Sequence, residues 1–150
     1  MSAVEDPGWA ERATQALIAA GHRRGGARRA ILALLEDQAC ALSVLEIQER
    51  LSGDDREVSR ASVYRVIDEL EQIGLLQRVE VGRGVARYEP AGRGDAHHHH
   101  HLVCDVCGRV EPFTDDGIER AIRRLSARLP RRVSDHEIVI RGACRDCSES

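Results

Sequence analysis

The sequence predicts an α+β protein in two parts, an N-terminal run of helices closed by a β-hairpin and a small C-terminal α/β part rich in histidine and cysteine. Three observations predict it. Four amphipathic helical stripes lead into a glycine-centred hairpin that ends at Glu89. Five histidines at 97–101 run through Leu102 and Val103 into a CxxC pair, Cys104 and Cys107. A second pair, Cys144 and Cys147, lies near the C-terminus.

The first stripe is Trp9, Ala13, Ala16, Leu17 and Ala20, stopped by Gly21. The segment HRRGGARR at 22–29 then gathers Arg23, Arg24, Arg28 and Arg29 around two glycines. A second helix places Ala27, Ile31, Leu34 and Leu35 on one face. The third begins at Ser43, where Ser43 and Glu46 are spaced for a capping box. Ser59 caps the fourth, whose buried stripe is Val63, Val66, Ile67 and Leu70 and which Gly74 closes. Off that stripe lie Arg60, Ser62, Tyr64, Arg65 and Asp68. LLQRVEV, the GRG at 82–84 and VARYE then form the hairpin, with Arg83 at its tip. Helices and hairpin in this order describe a winged helix-turn-helix, whose last helix enters the major groove while the hairpin contacts backbone.

PAGRGDA at 90–96 is a hinge, which gives a first domain over 1–90, a hinge over 91–96 and a second domain over 97–150. The histidine run sits mid-chain and flows directly into Leu102, so it is not an expression tag. Read as a strand, it puts His97, His99 and His101 on one face and His98 and His100 on the other, so one strand can serve two sites. Four thiolates from two CxxC hairpins are what a closed tetrahedral zinc site requires, at ~2.3 Å each. Two disulfides or two redox motifs are the alternatives; an odd count of five cysteines and no secretory signal disfavour them. Beyond the knuckle come a short strand to Phe113 and a helix from about Asp115 to Leu129 with the stripe Ile118, Ile122, Leu125 and Leu129. A strand over 133–141 follows and delivers the chain to Cys144. The open edges of so small a sheet suit a twin subunit.

Composition narrows the classes. Only four aromatics are present, which suits a small domain helped by a metal or a partner. No apolar run reaches membrane-spanning length, and a cytoplasmic protein is expected. The net charge of −3 does not advertise a nucleic-acid binder, so any DNA contact depends on local clusters of arginine, the sole cation used besides histidine.

ASVYRVIDELEQIGL at 61–75, HHHHHLVCDVCGRV at 97–110 and CRDC at 144–147 together resemble the ferric uptake regulator family of metal-dependent transcriptional repressors, over about Gly21 to Cys147. The resemblance implies a structural zinc on Cys104, Cys107, Cys144 and Cys147. It implies a sensing site between the two domains on Glu89, His99 and His101, and a further site in the dimerisation domain on His98, His100, Glu119 and His136; His97 is left unassigned. Double-stranded operator DNA and a second copy of the chain are the implied partners. Tyr64 and Arg65 would touch base edges and phosphate, with Arg60, Ser62, Arg23, Arg24 and Arg83 beside them. Two positions depart from the family pattern. Ala41 stands where relatives often place a histidine ligand, leaving Cys40 or His22 as a fourth donor, and Gly25-Gly26 replaces a Thr-Pro helix start. The pentahistidine is similar to the zinc-sensing branch, whereas Glu89 in place of a thiolate is closer to iron- or manganese-sensing branches; the second divalent metal is expected to be zinc, with Fe²⁺ or Mn²⁺ as alternatives. A zinc hydrolase would need an open coordination position beside a substrate pocket, and four cysteines make a closed set, so neither an enzyme nor a small-molecule substrate is expected. A zinc buffer would leave the helix-turn-helix without a purpose.

Overall fold

Four helices share one core in the first of two units, Met1–Arg93 and Gly94–Ser150, into which the chain divides. The computed structural model describes residues 7–53, 58–82, 84–92 and 98–148. The helices are α1 (Trp9–Ala19), α2 (Gly26–Asp37), α3 (Val44–Leu51) and α4 (Arg60–Gln72). Ala13, Leu17, Ile31, Leu35, Ile47, Val63, Ile67 and Leu70 are buried together, and Trp9 Nε1 donates to the Leu75 carbonyl at 3.2 Å, tying α1 to the end of α4. Two stripe assignments need correction. In α2 the buried neighbour of Ile31 is Leu32, with Leu34 only half-buried, and Ala20 lies beyond α1 on the surface. Ala20 falls outside because α1 ends at Ala19, a boundary that periodicity alone does not set.

Local chemistry fixes the helix ends. Ser43 accepts from the Glu46 N–H at 3.2 Å while Glu46 Oε2 accepts from the Ser43 N–H at 2.8 Å, completing the capping box. Ser59 Oγ accepts from the Ser62 N–H, and Gly74 leaves α4 at φ 71°, a left-handed turn that a side chain would strain. The hairpin β1 (Leu76–Glu80) and β2 (Ala86–Pro90) is antiparallel, with Gln77 opposite Glu89. Leu42 and Tyr88 exchange both backbone hydrogen bonds, at 2.9 and 2.8 Å, sewing β2 to the segment ahead of α3. The Arg87 guanidinium reinforces this seam by donating to Glu46 Oε2 at 2.6 Å and to the Ala41 carbonyl at 3.3 Å.

The second unit comprises β3 (His100–Cys104), β4 (Val110–Phe113), α5 (Asp116–Ser126), β5 (Val139–Gly142) and α6 (Arg145–Ser148). β3 is central, antiparallel to β4 and parallel to β5, and α5 lies in the crossover that a parallel pair requires. Asp115 caps α5 by accepting the Ile118 N–H at 2.8 Å. Two elements are shorter than expected. The helix ends at Ser126, not Leu129, and the strand expected over 133–141 spans only Val139–Gly142. In the latter case the Asp135 carboxylate takes the His136 N–H at 2.8 Å, and a backbone donor occupied by a side chain is lost to a strand ladder. Helix α6 has no counterpart among the expected elements. Among the described residues no helix is long and apolar enough to cross a membrane.

Burial raises the Glu46 carboxyl, but hydrogen bonds from Ser43 and the Arg87 guanidinium outweigh it and hold the group below its ordinary 4.5. A carboxylate with a depressed folded pKa stabilises above its unfolded pKa and ceases to as pH falls through the folded value. Ser43→Ala is expected to cost about 1 kcal/mol. Glu46→Gln should destabilise at pH 7, the difference from the parent protein closing once the pH drops below ~4.5. Urea unfolding followed by Trp9 fluorescence at stepped pH measures both, and a pH-independent gap for Glu46→Gln would refute the account.

Candidate metal centres and nucleic-acid face

The two CxxC pairs meet. Residues 104–107 form the turn after β3, the second pair brackets the start of α6, and the four sulfurs lie within 4.8 Å of one another. A tetrahedron of ~2.3 Å metal–sulfur bonds has edges of about 3.8 Å, and Cys107 Sγ stands 3.8 Å from Cys144 Sγ. The donor set therefore fits one tetrahedral divalent ion. Backbone N–H groups of Cys107 and Cys144 point at Cys104 Sγ, at 3.5 and 3.3 Å, and draw its pKa down to about 6. Hydrogen bonding to Cys144, then burial and the other thiols, pushes Cys147 up to about 12. One thiolate is thus prepared by the backbone, and four crowded thiolates need a cation's charge. Arg109 also donates to Asp146 at 2.9 Å, linking the knuckle after β3 to α6.

A second cluster joins His98, His100, Glu119 and His136, again with donor atoms within 4.8 Å. Glu119, on the first turn of α5, accepts from His100 Nε2 at 2.8 Å, and His136 Nε2 lies 3.2 Å from His98 Nε2. The hydrogen bond with His100, against the effect of burial and with help from His136 and His98, keeps Glu119 below the ordinary glutamate value. His100 is fully buried with both ring nitrogens engaged, since Nδ1 accepts from the Ile138 N–H at 3.3 Å. Three imidazoles and one carboxylate are a fitting set for a borderline divalent metal.

The strand alternation sorts the histidines as expected. His98 and His100 have ring centroids 4.8 Å apart, and His99 and His101 5.0 Å apart, although only His100 and His101 lie within β3 itself. His101 is buried, with Nδ1 3.3 Å from Glu137 Oε1. Glu137 carries no signal in the sequence, because only the parallel pairing of His101 with Val139 brings it there. Glu89 belongs to the first unit, where it is buried on β2 and accepts from Gln77 Nε2 at 2.6 Å. The Leu42–Tyr88 bridge puts the segment that holds Cys40 and Ala41 beside the strand that holds Glu89. His97 lies outside the described residues.

In the first unit Tyr64 and Arg65 are exposed on α4, and Ser62 is half-buried at its start. Arg60 Nε is held by Gln48 Oε1 of α3 at 3.1 Å. A cavity of about 380 Å³ between the 21–28 segment and α4 is lined by Arg23, Ser62 and Arg65. Arg24 lines a separate cavity with Arg28 and Arg29. Glu69, which no sequence motif singles out, anchors this segment by pairing with His22 at 3.2 Å and with Arg28. Arg83 lies outside the described residues.

A helical unit is thus followed by a sheet unit that carries a four-sulfur cluster and a histidine–carboxylate cluster. The model of the ferric uptake regulator family matches residues 19–141. The ferric uptake regulation protein of Bacillus subtilis is 30% identical over 115 residues, 77% of each chain. That of Neisseria meningitidis is 37% identical over 123 residues, 81% of this chain and 83% of its own. The Helicobacter pylori ferric uptake regulator, whose structure reveals three functional metal-binding sites, superposes with a TM-score of 0.80 at 26% identity, covering 100% of this chain and 99% of that one. The Vibrio cholerae regulator gives 0.73 at 32% identity, covering 87% and 98%. This chain belongs to the ferric uptake regulator family.

Removing one sulfur leaves three ligands and an unbalanced charge. Cys144→Ser is expected to abolish retention of one tightly held metal per chain and to unprotect the amides of β3 and β5, while Trp9 in the first unit keeps its native emission. Metal analysis and hydrogen exchange measure this; full metal content in the variant would remove Cys144 from the set.

Proposed function

We propose that this chain is a metal-dependent transcriptional repressor of metal-uptake genes, with zinc as corepressor and a second zinc held structurally by Cys104, Cys107, Cys144 and Cys147. Residues 1–90 contact operator DNA, 91–96 act as a hinge, and 97–150 dimerise. Glu89, His99 and His101 take up the sensing metal with ligands drawn from both units, and Cys40 is the fourth donor available beside the Glu89 strand in place of the family histidine. His98, His100, Glu119 and His136 form the further site. Filling the sensing site selects one arrangement of the winged helices and hence one half-site spacing. The sorting of the histidines carries this reading: His98 and His100 are committed to Glu119 and His136, which leaves His99 and His101 as a separate pair. Zinc is favoured over iron and manganese by the affinity order for such N, O and S donors.

A homodimer is supported by the second unit's surface. No residue of α5 is buried, Leu125 on it and Leu129 just beyond it are 57% and 45% exposed, and the paired Leu102 and Ile140 are also exposed on the sheet. A twofold-related copy would cover these side chains.

The test is fluorescence anisotropy on the protein's own upstream region, with the tightly held metal retained and free Zn²⁺, Fe²⁺, Mn²⁺ and Ni²⁺ buffered in turn. Zinc is expected to tighten binding at least tenfold, and Glu89→Ala or His101→Ala to abolish that gain. Tightening by iron or manganese alone would reassign the signal, and no metal dependence would refute the sensing role. Arg65→Ala should weaken binding to every sequence and flatten the salt dependence by ~0.9 for each phosphate it ceases to neutralise; unchanged binding would remove Arg65 from the interface.

A further inference from the structure

Among the described residues, the longest run of arginines without an acid between them lies in the second unit. Residues 120–134 contain Arg120, Arg123, Arg124, Arg128, Arg131 and Arg132 and no acid. All six are exposed, and among the described residues none has an ion pair. Elsewhere in the chain arginines with structural work are tied down: Arg28 to Glu69, Arg87 to Glu46, Arg78 to Glu80 and Arg109 to Asp146. Arg23, Arg24 and Arg65, proposed above for DNA, share the exposed and unpaired condition of the α5 group.

Their placement is ordered. Arg120, Arg124 and Arg128 recur every four residues, while the apolar stripe Ile118, Ile122, Leu125 and Leu129 follows the opposite face. If the apolar face meets a second copy, the arginine face points outward. Arg120 and Arg124 are ~6 Å apart along α5, and Arg128 follows in the turn after the helix. The helix dipole accounts for basic residues in the last turn, which are Arg123 and Arg124, and not for Arg120 or for Arg128, Arg131 and Arg132 beyond the helix end.

We infer that this face is a second, sequence-independent DNA-contact surface, one that grips the phosphate backbone through bidentate guanidinium groups. It would supply electrostatic affinity that the first unit lacks, because residues 1–90 carry 12 arginines against 15 acids. It requires no metal switching, so it goes beyond the function proposed above.

The experiment uses full-length, metal-replete protein and a duplex of random sequence, titrated by anisotropy at several salt concentrations. Arg124→Gln/Arg128→Gln/Arg131→Gln is expected to weaken binding at least tenfold at low salt and to flatten the log–log salt slope by about 0.9 for each phosphate left without its arginine. The corresponding triple lysine variant, which keeps the charge, should retain most of the slope. The control Arg109→Gln/Arg141→Gln/Arg145→Gln removes equal charge from exposed positions of the same unit outside residues 120–132, and should leave the slope near that of the parent. An unchanged slope in the α5 variant, or an equal loss in the control, would overturn the inference. So would a parent protein that binds its own upstream region but no random duplex, an outcome that leaves the repressor reading standing.

Discussion

A unit running from Gly94 to Ser150 whose only buried apolar residues among those described are Val103 and Cys104 cannot be held by hydrophobic burial alone. One of the two is itself a member of the sulfur cluster. Burial of a few side chains, at ~1.5–3 kcal/mol each, is small against the entropy of ordering some fifty residues. An ion held by the four sulfurs would join the end of β3 to the start of α6 across about forty residues of sequence and contribute its binding energy to folding. The parallel pairing of β3 with β5 ends at Cys104 and Gly142, beside the cluster, so the cysteines clamp one end of the ladder. Glu119 and His136 clamp the other by meeting His98 and His100.

The first unit solves the same problem by ordinary means, with a core drawn from every helix and hairpin strand and with side-chain caps at Ser43 and Ser59. This difference explains what the sequence made legible. Helices with a periodic stripe and a capping residue declare themselves locally, and α1 to α4 and the glycine turn after α4 lie where the pattern puts them. The four-cysteine cluster was equally legible, because its spacing is a coordination rule rather than a packing outcome. Strand β5 was not, since alternation over 133–141 cannot reveal that Asp135 diverts the backbone before Val139. Nor could the sequence announce Glu137 beside His101 or Glu69 between His22 and Arg28, because those contacts exist only once strand register and helix packing are fixed.

The histidine run shows how much one strand can carry. A shift of β3 by one residue would exchange the sets His98/His100 and His99/His101 between the two faces of the sheet. That register is pinned at one end by Cys104, whose sulfur receives two backbone N–H groups, and at the other by His100, whose ring is held between Glu119 and the Ile138 N–H. Both pins fall within the single strand β3, so little slack separates the sulfur cluster from the histidines.

The consequence is an ordering of roles. A site whose loss unfolds the strand cannot report on a fluctuating metal level, because emptying it destroys the element that presents the other ligands. The sulfur cluster has that character: its donors are closed to further ligands, and emptying it would remove most of the unit's cohesion. His99 and His101 differ, because the strand is held in register without them by Cys104 and by the His100–Glu119 contact. In the function proposed above they would gain or lose a metal while the scaffold stands, which is the physical requirement for a sensor. In the proposed function, stapling would fall to the donors that fix the register of β3, and sensing to His99 and His101.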